Sequence, residues 1–304
     1  MHGEVAFVLQ RLRWMREEQI WPNGLRYLWT DAFGVVVLLT LHRLLDDQAR
    51  LREAEAVVAE VNRVLGRPRG YRIGEAPDRD GQYFHYLAMW LFALWRLSQV
   101  RPAYQAVAID LVRDIHPAFF VPGRGVLWKM REDLSGPYPG YGYGALDPFH
   151  AAVVYRLIDP VRLAPEIADM ESLVDATYPD LTVTQDLGLG MMLWQAHFQP
   201  DLRWARVQRE RSLAVLDRMW VDPPGYFCRE PGARTVRFAF TNYGVAIGLQ
   251  AAGAWPERVV RLNRYFESYS SGDDYDRDAI THVMACSARL PGLLLAEAPD
   301  APDG

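Results

Sequence analysis

The sequence predicts an all-α toroid, an inner barrel of six helices wrapped by six outer ones, and three observations carry that expectation. Nearly all-apolar helical segments recur six times, beginning near Asp31, Tyr83, Asp147, Gln185, Thr241 and Asp278. Each is preceded by an amphipathic, charge-studded helix. A helix apolar on all faces must be buried, whereas one with a single apolar stripe lies at a surface, so strict alternation of the two kinds fits two concentric rings. The loops alternate as well. Those leading from an outer to an inner helix are long (66–82, 117–146 and 220–237), and the returns are short, as from Asp159 to Ala164.

The elements follow in order. The N-terminal stretch MHGEVAFVLQRLRWMREE reads as an outer helix over 3–19, because charges interrupt the apolar core that a signal peptide would need. Inner helices are expected over 31–43 (from WTDAFGVVVLLTLHRL), 83–99 (YFHYLAMWLFALWRLS), 147–158 (DPFHAAVVYRLI), 185–198 (QDLGLGMMLWQAHF), 241–253 (TNYGVAIGLQAAG) and 278–290 (DAITHVMACSARL). Between them run outer helices over 49–65, 102–115, 164–176, 202–219 and 256–268. Segment 202–219 shows the pattern: Trp204, Val207, Leu213, Leu216 and Met219 share a stripe, while Arg206, Arg209, Glu210 and Arg211 face water. Glycine recurs in the inner helices (Gly34, Gly188, Gly190, Gly244, Gly248) despite costing up to ~1 kcal/mol relative to alanine, which points to close helix approach. One toroidal domain over 1–295 is expected, with 296–304 as a disordered tail and essentially no sheet.

Composition bounds the function. Half of the 304 residues are hydrophobic and 12% aromatic, enough for a large core. A net charge of −5 argues against a nucleic-acid partner, which needs a basic face. The apolar runs are short for a membrane span, so a soluble cytoplasmic protein without a membrane partner is expected. Cys228 and Cys286 give no disulfide framework and no CxxC or HxxxH metal pair. Gly188 and Gly190 lack the preceding strand of a dinucleotide fingerprint, and the acids at 273, 274, 276 and 278 match neither DDxxD nor DxDD. No cofactor or metal is expected.

Six helix N-termini converge where the inner helices begin, and their dipoles favour carboxylates and oxygen-rich ligands. Asp31, His85, Asp278 and His282 are the candidate catalytic groups. Asp31 and Asp278 fall on the first and last inner helices, neighbours in a closed ring. His282 follows Asp278 by four residues, one turn on the same helical face, a spacing that suits an acid/base unit. Arg26 and Trp29 in WPNGLRYLWTD, together with Tyr83, Tyr141, Tyr143, Asp147, His150, Asp186 and Asn242, are the candidate substrate contacts. Lys129, in LWKMRED, is a candidate for an anionic substrate. Each aspartate also has a purely structural reading as a helix cap.

The hairpin repeat and the mouth motifs WTD, YFHYL, DPFH, QDLGLG, TNYG and DAITH resemble the six-hairpin toroids, the (α/α)6 barrels of many glycoside hydrolases and of the N-acylglucosamine 2-epimerases. That resemblance implies carbohydrate chemistry at the inner-helix N-terminal mouth, through a carboxylate pair in hydrolases or histidines in epimerases. A glycoside hydrolase acting on a small-molecule sugar is the first expectation. A sugar epimerase or isomerase, a terpenoid cyclase-like enzyme and a non-catalytic binding toroid are the alternatives. Fold alone does not choose among them.

Overall fold

The computed structural model describes residues 2–22, 25–223, 225–229 and 239–296. Twelve α-helices run through them: α1 (His2–Glu17), α2 (Leu28–Leu45), α3 (Gln48–Leu65), α4 (Phe84–Ser98), α5 (Ala103–Phe119), α6 (Asp147–Ile158), α7 (Ala164–Thr177), α8 (Asp186–Ala196), α9 (Arg203–Val221), α10 (Ala239–Ala251), α11 (Pro256–Ser268) and α12 (Ala279–Arg289). The even-numbered helices form the inner ring. α2 touches α4, α4 touches α6, α6 touches α8, α8 touches α10, α10 touches α12, and α12 returns to α2. Each later outer helix packs on the inner helix just before it, and α1 packs on α12, so the first and last helices close the ring.

The glycine expectation has a specific meaning at one seam. α8 and α10 approach so closely that a Cβ at Gly190 would overlap the Gly244 carbonyl, and one at Gly248 would overlap that of Gly190. α2 is long and apolar enough to cross a membrane by composition, against the expectation that no segment is, but it is an inner stave of the barrel and largely buried.

The far end of the barrel is plugged. After α12 the chain turns back across the C-terminal ends of the inner helices. There Leu293 N donates to Thr40 Oγ1 (3.0 Å), Trp194 Nε1 to the Leu294 carbonyl (2.7 Å) and Arg96 to the Leu295 carbonyl (2.6 Å). Ala296 N also donates to His197 Nε2 at 2.9 Å, so this first residue of the expected tail is tied down. Residues 297–304 lie outside the described residues, as do 224 and 230–237 of the expected loop 220–237.

The loops at the mouth include four two-residue strands, a small departure from the sheet-free expectation. β1 (Gln82–Tyr83) pairs antiparallel with β4 (Lys129–Met130), and β2 (Phe120–Val121) with β3 (Gly125–Val126). Loop 66–82 is organised around the buried Asp80. Its carboxylate accepts from the amides of Ile73, Gly74 and Gly81 and pairs with Arg72 at 2.6 Å. Gln82 ties this loop to the next one, donating to the Arg69 and Glu132 carbonyls.

Candidate active site

Among the cavities at the inner-helix N-termini, two border α2. The first, 310 Å³, lies among α2, α4, α6 and α8. Trp29, His85, Asp147, His150, Met191 and Gln195 line it, and Trp128, Tyr143 and Gln185 stand at its edge. The second, 760 Å³, lies between α2 and α12 and is lined by Arg26, Tyr27, Thr30, Glu75, Arg79 and Asp278 among others.

The first cavity collects buried polar atoms that have no partner among the described residues: Trp29 Nε1, Asp147 Oδ2, His150 Nε2 and Gln195 Oε1. A buried polar group without a hydrogen bond costs ~1–3 kcal/mol. Four of them around one space mark a site shaped to be completed by a polar ligand. The helix period explains the placement. Asp147 and His150 stand three apart at the start of α6, and Gly188, Met191 and Gln195 stand at i, i+3 and i+7 on α8, so each set shares a face. Gly144 gives Asp147 its room, since a Cβ there would overlap the carboxyl group.

Burial sets the charge of this cavity. It pushes His85 down to about 3, and it does the same to His150, aided by the proximity of His85. It also pushes the Asp147 carboxyl well above the usual carboxylate range. Both imidazoles are therefore neutral bases at neutral pH. The His85 ring packs among Trp29, Tyr83, Tyr86 and Trp128, with centroids 4.6–6.0 Å away, and its Nδ1 accepts from Trp128 Nε1 at 3.0 Å.

Several of the expected site residues lie elsewhere. Asp31, in the first turn of α2, is fully buried and lines neither cavity. Trp21 Nε1 donates to its Oδ1 at 2.9 Å, and Arg26 pairs with it at 3.1 Å. Burial raises it to about 6 against the opposing pull of Arg26. Arg26 also donates to the Pro22 carbonyl and borders the second cavity. Asp278 borders that cavity too, as the N-cap of α12, with its carboxylate accepting from Ile280 N at 3.3 Å.

The Asp278–His282 unit does not form. His282 Nδ1 meets Arg11 at 3.1 Å, its Nε2 meets the Asp276 carbonyl at 2.9 Å, and its ring stands edge-on to Trp14 of α1. The face it shares with the next turn of α12 looks into the outer ring. The acids around it are also occupied: Asp276 accepts from Ser270, Ser271 and Gly272, and Asp273 caps the turn at Tyr275.

Lys129 is not at the mouth surface. It is 1% exposed and sits in a cage of Tyr83, Tyr138 and Tyr141, with Nζ 4.4–5.1 Å from the three ring centres. It also bonds to Glu75 and to the Arg79 carbonyl. Tyr83 and Tyr141 thus hold the loops together around a cation, while Tyr143 reaches the first cavity. Asp186 is buried and accepts from Thr241 and the Leu187 amide, and Asn242 is buried beside Thr241, so neither lines the first cavity.

Sequence reasoning missed Trp128 and Gln195. Trp128 sits in the bend before β4, where its amide donates to the Gly142 carbonyl and its carbonyl accepts from Phe84 N, which sets its side chain against the cavity. Gln195 carried a usable signal, being the polar residue set within the apolar run LGMMLWQA. Among the described residues no three His, Cys, Asp or Glu side chains gather as a metal site.

Twelve helices in two rings, with cavities at the inner N-termini, define an (α/α)6 toroid. Among solved structures, the chain is similar to the cellobiose 2-epimerase of Bacillus thermoamylovorans, with 11% sequence identity and a TM-score of 0.48 over 85% of this chain and 74% of that one. No protein-family model and no curated protein matches the chain.

Proposed function

We propose that the protein is a sugar epimerase or isomerase that moves a proton at the carbon beside the carbonyl of a reducing sugar. The observation that carries this reading is the pairing of two burial-neutralised histidines, His85 and His150, with one neutral carboxyl, Asp147, around a single cavity. Neutral imidazoles serve as bases or as hydrogen-bond donors to a carbonyl, and a neutral carboxyl donates to a developing alkoxide. With all three groups uncharged the cavity suits an uncharged, hydroxyl-rich molecule. At 310 Å³ it lies at the small end of ligand pockets, which run ~300–1,000 Å³, and this favours one sugar ring over a chain. Trp29, in the cavity wall, offers a face for such a ring.

A glycoside hydrolase needs two carboxyl groups flanking the scissile bond, and among the described residues Asp147 is the one carboxyl in the lining of this cavity. That favours the isomerase over the hydrolase. The test is to incubate the protein with a panel of reducing sugars in D2O and follow the proton beside the carbonyl by NMR. Exchange or interconversion is expected, and it should vanish in His150→Ala. Release of a free sugar from glycosides with no such exchange would instead establish the hydrolase.

A further inference from the structure

The two histidines of the cavity are not equivalent. An indole N–H can only donate, so the 3.0 Å contact from Trp128 Nε1 makes His85 Nδ1 an acceptor. A neutral ring with its lone pair on Nδ1 holds its proton on Nε2. Trp128 is fixed in this role by its own backbone. Its amide donates to the Gly142 carbonyl (2.9 Å), and its carbonyl accepts from Phe84 N (3.1 Å), which pins it to the first turn of α4 beside His85. Among the described residues His150 has no counterpart to Trp128, and its Nε2 is buried without a partner.

We propose that Trp128 is a positioning residue: it holds His85 as a hydrogen-bond donor to the substrate carbonyl and leaves His150 as the single carbon base. This rests on the proton-transfer reading above and narrows it to an aldose–ketose interconversion. A lone base returns the proton to the face from which it took it, whereas inversion at one carbon requires a second base on the opposite face. His85, neutral with its one proton on Nε2, cannot take a proton at that nitrogen. It could give one only by becoming an imidazolate, so it serves as the second group in neither direction.

The step balances with the groups present. His150 Nε2 takes the proton from C2 of the open-chain aldose. The C–H electron pair becomes the C1–C2 double bond, and the carbonyl pair moves to O1, which receives the Asp147 proton while accepting a hydrogen bond from His85. In the second half the Asp147 carboxylate takes the proton of the 2-hydroxyl, and the electrons of that O–H bond form the C2 carbonyl. The enediol double bond then takes the proton back from His150 at C1. No oxidant or co-reactant is consumed.

The test has two independent arms. In protein labelled with 15N-histidine, the ring nitrogens report the tautomer directly. His85 is expected as the Nε2–H form, turning into a mixture of tautomers in Trp128→Phe, a substitution suited to a side chain that is 42% exposed at the rim. A wild-type His85 protonated on Nδ1, or already mixed, overturns the proposal whatever the activity. In the second arm, aldoses deuterated at C2 are supplied in H2O. Deuterium is expected at C1 of the ketose, with no 2-epimer. Partners that orient a functional imidazole are typically worth ~10–100-fold, so Trp128→Phe should lower kcat by about tenfold with KM nearly unchanged. Formation of the 2-epimer with solvent hydrogen at C2 would overturn the single-base course while leaving the tautomer intact. An Nε2–H tautomer with no proton movement in any sugar would retain the lock and reject the proton-transfer reading beneath it.

Discussion

α6 and α12 open with nearly the same phrase, DPFH and DAITH, and the protein uses them in opposite ways. On α6, Asp147 is the first helical residue and His150 follows three later. Both face the lumen, and each leaves a buried atom unpartnered in the first cavity. On α12, Asp278 is spent as the N-cap, and His282, four residues on, faces α1 with both ring nitrogens engaged. Asp31 sides with α12 in facing neither cavity: Trp21 and Arg26 hold its Oδ1, and its Oδ2, buried without a partner among the described residues, adjoins no open space. An acid and a histidine at a helix start become a site only where their unpartnered atoms line a cavity.

Four measurements would break or sharpen this contrast. The largest effect is expected at His150. Replacing it with alanine should reduce turnover by ~10²–10⁴-fold, the usual worth of a general base, while His282→Ala leaves turnover within about twofold of wild type. An equal loss in both variants would erase the distinction between the two helices.

Asp31→Ala should act on stability instead. Breaking a buried ion pair strands its partner at a cost of about 3–5 kcal/mol, here the Arg26 guanidinium, and urea unfolding would read it. A variant of wild-type stability but without activity would return Asp31 to the site.

The third measurement is pH dependence. The folded-state pKa of His150, about 3, lies below its unfolded value near 6.5. Protonation therefore favours the unfolded chain, and stability from this group is lost as pH falls from about 6.5 toward 3. At pH 5 that loss is about 2 kcal/mol. Asp31 and Asp147, both raised, work in the other direction: their contribution is present at low pH and is lost as pH rises through their folded values. Comparing wild type with His150→Gln at pH 7 and pH 5 isolates the histidine, because the carboxyl terms are shared. The gap between the two proteins should shift by about that 2 kcal/mol in favour of the variant at pH 5.

Asp278→Ala carries the smallest effect. Loss of an N-cap costs about 1 kcal/mol, so a small drop in unfolding midpoint with unchanged turnover is expected, and a large loss of turnover would revive the α12 site.

Hydrophobic patterning made the toroid legible. The expected helix boundaries fall within a few residues of those observed, because an inner helix must be apolar all round and an outer one only along a stripe. The mouth was legible to the same degree: Trp29, His85, Tyr143, Asp147 and His150 were all singled out, and all line the first cavity. Lys129 and the Asp278–His282 pair were misplaced for a common reason. Sequence spacing says which side chains share a face, but not which way that face turns.

The sequence by itself thus determined the rings, their order and the end at which polar residues gather, since all three follow from periodicity and loop length along one chain. Tertiary structure alone decided which polar residues stay unpartnered. The rotation of α12 turned His282 toward Arg11, the packing of Trp21 over α2 enclosed Asp31, and the pairing of β1 with β4 buried Lys129 and sent Trp128 to His85. Those outcomes depend on contacts between segments far apart in the chain, about which local spacing carries no information.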